Sequence, residues 1–399
     1  MQPLPGFRDF LPADCAKRNY IFSTWREVAR RYGFVEWDGP VLEPTELYKK
    51  KSGPEIVAQL FNFTDKGDRE VAMRPELTPT LARVVAAHDR EFKKPLKWFS
   101  IPQCFRYEKQ QRGRLREHFQ LNCDIIGEAS LAADIELIAL AIDLLRAFGF
   151  TSNDVVVRIS DRAFWTEFLK VENVPQEQWP AILQAIDKSE REPREKTEEK
   201  LGRLAAPVFA IFENGGESDR LTNVITGLRV RGLDEFATVD VRIVRGLAYY
   251  SGIVFEVFDR AGKLRALAGG GRYDDLIANL SDGAVSLPAL GFAMGDVVLG
   301  ELIDKIPSDR AIDIYAVIAK EERRADAMHI VQRLRDAGHR VDYSLGEAKV
   351  GKQFQTAEQL GARSAILFGD EWPQVAVKNL ASGEQQLVPH EQVLAHLGT

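Results

Sequence analysis

The chain has little cysteine. Cys15, Cys104 and Cys123 are its complement, widely spaced along 399 residues. They make neither a disulfide framework nor a CxxC metal knuckle, which suits a reducing cytosol. Its six histidines include no HxxxH pair, so a histidine-built metal site is not expected. No run of about 18 apolar residues is present, so no membrane span is expected. The opening residues MQPLPGFRDF lack the basic start and apolar block of a signal peptide, and a cytoplasmic location follows as the expectation. A net charge of −6 argues weakly against wholesale coating of nucleic acid, because an acidic chain still presents local basic faces. Lys93 to Arg116 is such a stretch.

What is present is the composition of a globular protein, 45% hydrophobic and 28% charged, long enough for two or three domains. Residues 14–32 carry Ile21, Phe22, Trp25, Val28 and Ala29 at helical spacing, closed by Gly33. An extended segment with Gly39, Pro40 and Pro44 reads as an edge strand or a subunit border. Glu70 to Met73 reads as a short strand and Thr78-Pro79 as a helix start. Leu131 to Phe148 is a long amphipathic helix and Val155 to Ile159 a strand. Residues 161–235 are charge-rich and helical in period, an insertion in the larger domain. Beyond Pro307 to Arg310, alternating strands and helices predict a small α/β domain on a largely parallel sheet. Within it GEAKVGKQ (346–353) nearly matches a phosphate loop, but Gln353 stands where a Ser or Thr should bind magnesium, so no ATP loop is expected there.

Three stretches carry chemistry. Phe105 to Gly127 reads as a strand, a turn crowded with Lys109, Arg112, Arg114 and Arg116 around Gly113, and a second alternating strand. It fits a phosphate-binding hairpin or an ordinary solvated one. Glu76 and Thr78, at a strand-to-helix junction, suit a grip on a ligand amine; equally, Thr78 could cap the helix and Glu76 pair with an arginine. In residues 238–258 two strands flank RGLAYYSG, which presents Arg245, Tyr249 and Tyr250. A further strand, Leu264 to Ala268, leads into GGGRYDDL, with Arg272 and Tyr273 just beyond. The triple glycine permits a flexible turn or close backbone approach. ALGFAMGDVVLGELI (289–303) is a glycine-rich strand running into a helix.

FRYE with its basic loop, RGLAYYSG, AGGGRYDDL and GFAMGDVVL, in this order ahead of an α/β module, together resemble the histidyl-tRNA synthetases of class II. The resemblance runs from PGFRDFLP (5–12) over nearly the whole chain. It implies an α+β catalytic domain on an antiparallel sheet (1–160 and 236–306), a helical insertion (161–235) and an anticodon-binding α/β domain (308–399). It further implies L-histidine, ATP and tRNA(His) as partners, Mg2+ arriving with ATP on no assignable protein ligands, and a homodimer through the Pro40 segment. By the same resemblance Arg106 and Arg245 would be catalytic and also bind ATP, with Glu108 toward adenine and Arg114 toward the outer phosphates. Glu76, Thr78 and Gln120 would hold the amino group of histidine; Asp124 and Tyr250 would bond its imidazole, with Tyr249 and Tyr273 in the pocket. Three positions depart from the family pattern: Asp124 for a glutamate, Ala248 for an aspartate, and Val298 for an adenine-stacking arginine. The alternative is a non-catalytic paralogue, the regulatory subunit of ATP phosphoribosyltransferase in histidine biosynthesis.

Overall fold

Alternation along Glu117–Ile126 sets up the architecture. Leu121, Cys123 and Ile125 enter the main core, whereas Gln120, Asn122 and Asp124 line a cavity on the opposite face. The structure, a computed structural model, describes residues 2–109, 111, 113–216, 218–244, 249–304, 306 and 312–398. The chain forms two units, Met1–Ile306 and Pro307–Thr399.

In the first unit the strands are β1 (Val35–Glu36), β2 (Leu42–Pro44), β3 (Asn62–Thr64), β4 (Glu70–Met73), β5 (Leu96–Ser100), β6 (Gln103–Phe105), β7 (Glu117–Ile126), β8 (Val155–Asp161), β9 (Ala237–Val239), β10 (Ile253–Asp259), β11 (Ala268–Arg272) and β12 (Ala289–Gly295). Among the described residues nine of these form one sheet, ordered β1-β5-β7-β12-β11-β10-β8-β9, with β6 paired to β7 beside that path. Every pairing from β5 to β8 along this order is antiparallel, as expected; the short outer pairs β1–β5 and β8–β9 are parallel. A separate three-stranded sheet runs β2-β4-β3.

Helices Pro12–Arg31 and Leu131–Ala147 pack together over one face of the large sheet. Trp25, Val28, Leu137, Ile138 and Leu144 meet Phe99, Leu121 and Phe255 there. Each such side chain stabilises the fold by roughly 1.5–3 kcal/mol. Gly149, at φ +87°, terminates the second helix in a conformation that favours glycine. Between β8 and β9 the chain is helical, from Arg162 to Val230.

Two expectations around the triple glycine need correction. The strand expected at Leu264 to Ala268 lies instead at Ala268–Arg272, so the glycines sit inside the sheet rather than in a turn. A Cβ on Gly270 would come 2.1 Å from the Gly291 carbonyl oxygen. Glycine is therefore demanded by close packing, and its missing side chains erase the alternation that would have marked the strand. Arg272 does not project past the glycines either. It turns inward to Asp134 at 2.5 Å, tying β11 to the long helix, with both side chains almost fully buried.

The second unit contains β13 (Ile314–Ile318), β14 (Val341–Tyr343), β15 (Ser364–Phe368), β16 (Gln374–Asn379) and β17 (Gln385–Pro389), ordered β14-β13-β15-β16-β17. Its first two pairings are parallel and its last two antiparallel, so the sheet is mixed rather than largely parallel. β17 was not expected, because four of its five residues are exposed and give no apolar pattern. Gln353 is buried, and its amide bonds both the N–H and the C=O of Ile318 and the carbonyl of Ala348. The near-match to a phosphate loop is thus a bonded helix start.

Candidate active site

The floor of the site is a consequence of strand register. Asp124 on β7 pairs with Gly291 on β12, which pairs with Gly271 on β11. Small neighbours leave room above Gln120, Asn122 and Asp124: a Cβ on Gly291 would lie 1.9 Å from Asp124 Oδ1. A cavity of about 100 Å³ results, walled by Glu76, Thr78, Arg106, Gln120, Asn122, Asp124, Tyr249, Tyr250 and Tyr273 over Gly269, Gly291 and Ala293. Eight residues expected in the site from the sequence therefore meet around one space. Arg245 and Ala248 lie outside the described residues, as does Arg112.

One end of the cavity gathers Asp124, Tyr249, Tyr250 and Tyr273. The Tyr273 hydroxyl donates to Asp124 Oδ1. Burial pushes the Asp124 carboxyl up to about 7, against the Tyr273 bond, which lowers it. Tyr249 packs edge-on against Tyr273 with ring centroids 6.0 Å apart, and lies 4.5 Å from the ring of Tyr250. Gln120 Nε2 donates to Asn122 Oδ1 at 2.8 Å. Asn122 was missed in the sequence, although the period-2 alternation of β7 carries it to the same face.

Glu76 is the second carboxylate of the cavity. Burial raises the Glu76 carboxyl, but Lys51 and then Arg106 outweigh it and hold the group below its ordinary value. Lys51 Nζ lies 2.5 Å from Glu76 Oε2, and its side chain is 1% exposed. Glu76 does have a cationic partner, then, but a lysine rather than an arginine. Thr78 is the first residue of helix Thr78–Ala87; the cap position belongs to Leu77, and no side chain caps that end.

Arg106 links this end to the basic hairpin. Its Nε donates to the Pro75 carbonyl at 3.0 Å while its side chain lines the cavity. His118, two residues from Gln120 and bonded to it at 3.1 Å, is pushed down to about 4 by burial and then by Arg106. It is neutral at ordinary pH and was also missed in the sequence. Past Arg106, Glu108 and Arg114 form an ion pair outside the cavity. The turn between them closes through reciprocal backbone bonds of Gln111 and Arg114, with Gly113 at φ +70°. Beneath it Val298 is buried, 3.2 Å from where a Cβ on Gly113 would stand. Arg8, from the PGFRDF segment, bonds Glu117 at 2.7 Å and Asp296 at 3.0 Å, locking the root of β7 to the helix after β12.

An antiparallel sheet bearing a basic hairpin on one strand and a glycine-rich strand-to-helix passage beside it defines a class II aminoacyl-tRNA synthetase. The family model described as "Histidyl-tRNA synthetase" matches residues 6–296, and one described as "Anticodon binding domain" matches residues 313–398. The chain belongs to the histidyl-tRNA synthetase family and is an enzyme that uses ATP. It is 46% identical over 426 residues to a histidine–tRNA ligase of Opitutus terrae, covering 99% of this chain and 97% of that one. It is 39% identical to the chloroplastic/mitochondrial histidine–tRNA ligase of Arabidopsis thaliana, covering 96% and 84%. The crystal structure of histidyl-tRNA synthetase from Nostoc sp. PCC 7120 shares its fold at a TM-score of 0.83 and 24% identity, covering 100% of this chain and 98% of that one.

Proposed function

We propose that this chain activates L-histidine with ATP, releasing pyrophosphate, and passes the histidyl group from the adenylate to tRNA(His). The observation that carries this reading is the single cavity joining Asp124, Tyr250 and Tyr273 to Glu76, Thr78, Gln120 and Arg106. Asp124 and Tyr250 bond the imidazole nitrogens, with Tyr249 and Tyr273 closing the pocket. Glu76, Thr78 and Gln120 take the α-ammonium. That orientation points the substrate carboxylate toward Arg106, where an oxygen attacks the α-phosphorus as pyrophosphate departs. Two anions must meet in this step, and the cations of Arg106 and Arg245 stabilise the developing charge by on the order of 3 kcal/mol each. A site that bonds both ring nitrogens rejects apolar isosteres by roughly 10⁴-fold.

Glu108 faces adenine and Arg114 the outer phosphates, which requires the pair they form with each other to open. Mg2+ enters with the triphosphate as part of that substrate. On this reading residues 1–160 and 236–306 are the catalytic domain, 161–235 an insertion beside the acceptor stem, and 308–399 the anticodon reader. Retention of Arg106, Arg114 and Gln120 together with the anticodon-binding module supports catalysis over the regulatory subunit of ATP phosphoribosyltransferase. A cytoplasmic homodimer completes the proposal. Val41, Leu42 and Phe63, exposed around Pro40, support that face as the subunit border.

The test is exchange of pyrophosphate into ATP with each amino acid in turn, followed by charging of tRNA(His) transcripts. Histidine alone should support exchange. Exchange with no amino acid would sink the enzyme reading, and a mass of one chain in light scattering would sink the dimer.

A further inference from the structure

Three consecutive lysines, Lys49 to Lys51, end the helix Thr45–Ser52, and they do not behave alike. Lys49 reaches Glu70 and Lys50 reaches Asp282, both at the surface. Lys51 turns inward. Its ammonium lies against Glu76 and stands 4.3 Å from the ring centroid of Tyr249, two groups that themselves wall the cavity. Burying an ammonium on a long flexible stem is costly unless a carboxylate meets it. Here that carboxylate is the one aimed at the substrate.

Glu76 already faces two cations, Lys51 and Arg106. A third, the α-ammonium of an amino acid, would crowd like charges around one carboxylate. The cavity is small, about 100 Å³, and an ammonium entering it meets the one already seated at Glu76. The Lys51 stem is long and flexible, so its head can withdraw while buried Thr45 and Tyr48 keep the helix packed.

We infer that Lys51 is a placeholder: its ammonium occupies the cation position at Glu76 and Tyr249 in the free enzyme, and the α-ammonium of the amino acid displaces it. This rests on the reading of Glu76 as the α-amino acceptor. One ammonium leaves as another arrives, so the buried charge stays balanced and Glu76 is never left unpaired. Displacement lowers the apparent affinity for the amino acid, because the competent state must first be freed of Lys51. Lys51 acts through Glu76 and is a positioning residue, not a catalytic one. Ligands without an α-amine do not compete with it.

The test compares histidine with 3-(imidazol-4-yl)propanoate, its analogue lacking the amine, on the full chain. Lys51→Met should lower the KM for histidine about three- to tenfold, with the change falling on KM rather than kcat. The inhibition constant of the analogue should stay within about twofold. Lys51→Gln, which keeps a polar head, should shift in the same direction and serves if the Met variant unfolds. A histidine KM that rises or stays put, or equal shifts for both ligands, makes Lys51 a fixed part of the wall and overturns the inference. Glu76→Gln separates the underlying reading: it should weaken histidine at least about tenfold and spare the analogue. Equal treatment of the two ligands by that variant removes Glu76 from the amine site, whatever Lys51 does.

Discussion

The hydroxyl of Tyr273 donates to the carboxylate of Asp124, and both groups are buried. The bond joins β7 to the residue just past β11, across 149 positions of sequence, and it sets when this end of the cavity carries a charge. Burial pushes Asp124 up to about 7 and the Tyr273 bond pulls it down. Tyr273→Phe deletes a bond made to the ionised form, so the Asp124 value must rise further. If ionised Asp124 accepts the imidazole N–H, kcat/KM for histidine falls as pH drops through about 7 in the native enzyme. In the variant that midpoint lies higher. Titration of the substrate's own imidazole is common to both enzymes and cancels in the comparison. His118 stays neutral across this window. Pyrophosphate exchange measured from pH 5.5 to 9 checks the shift, and coincident midpoints would remove Asp124 from recognition.

The same carboxylate makes the site expensive for the fold. A folded-state value raised to about 7 means the native protein binds an extra proton between about pH 4 and 7, so the stability contributed by this group is lost as pH rises through that range. Asp124→Asn should therefore raise the melting temperature at pH 8, by a free energy of at most on the order of 4 kcal/mol, while leaving pH 4 stability nearly unchanged. Histidine activation should fall at least about a hundredfold in the same variant. Calorimetry at the two pH values checks this, and equal effects at both would contradict the burial argument.

Much of this site was legible because β7 alternates cleanly. Gln120 and Asp124 share a face by period alone, and the arginines of its hairpin announce an anion. The same rule reached His118 and Asn122, yet nothing local distinguishes their polar side chains from solvated ones. Lys51 was not legible: it looks like its neighbours Lys49 and Lys50, and only a contact with Glu76, 25 positions away, gives it a role. The register of β11 was misread because glycine carries no side-chain pattern. Val298 was visible as a departure, but the packing that accommodates it under Gly113 was not.

That packing yields a prediction about nucleotide binding. Val298 is a buried member of the main core, and Gly113 closes over it. Introducing the arginine that the family resemblance puts at this position, by Val298→Arg, would place an unpaired charge in that core. The variant should lose on the order of 3 kcal/mol or more of stability and gain no affinity for ATP. Urea unfolding together with the KM for ATP checks it; a stable variant with a lower KM would show that the position still faces the nucleotide.

Arg8 offers a test of what holds the hairpin root. It answers two buried carboxylates, Glu117 at 1% and Asp296 at 5% side-chain exposure. Arg8→Ala leaves both without their cation, a change costing about 3–5 kcal/mol when a buried pair is broken. Burial already raises the Asp296 carboxyl, with Arg8 opposing it, so loss of Arg8 raises it further. Part of the lost stability should accordingly return as the pH is lowered toward 5. Melting curves at pH 5 and 8 check the expectation, and a loss no larger at pH 8 than at pH 5 would assign the effect to packing instead.

Gln353 offers a test of whether the two units act separately. Its amide satisfies the backbone of Ile318 on β13 and the carbonyl of Ala348, and it is 2% exposed. Gln353→Ala strands a buried N–H and a buried C=O and leaves a small void, which should cost about 2–4 kcal/mol in the Pro307–Thr399 unit. None of these partners lines the cavity of Glu76 and Asp124. Pyrophosphate exchange at 25 °C should therefore keep its native rate, while charging of tRNA(His) falls several-fold as the anticodon-binding unit loosens. Differential scanning calorimetry should show an early transition confined to one unit. Exchange and charging that fall in parallel would mean the second unit supports catalysis itself rather than the grip on tRNA.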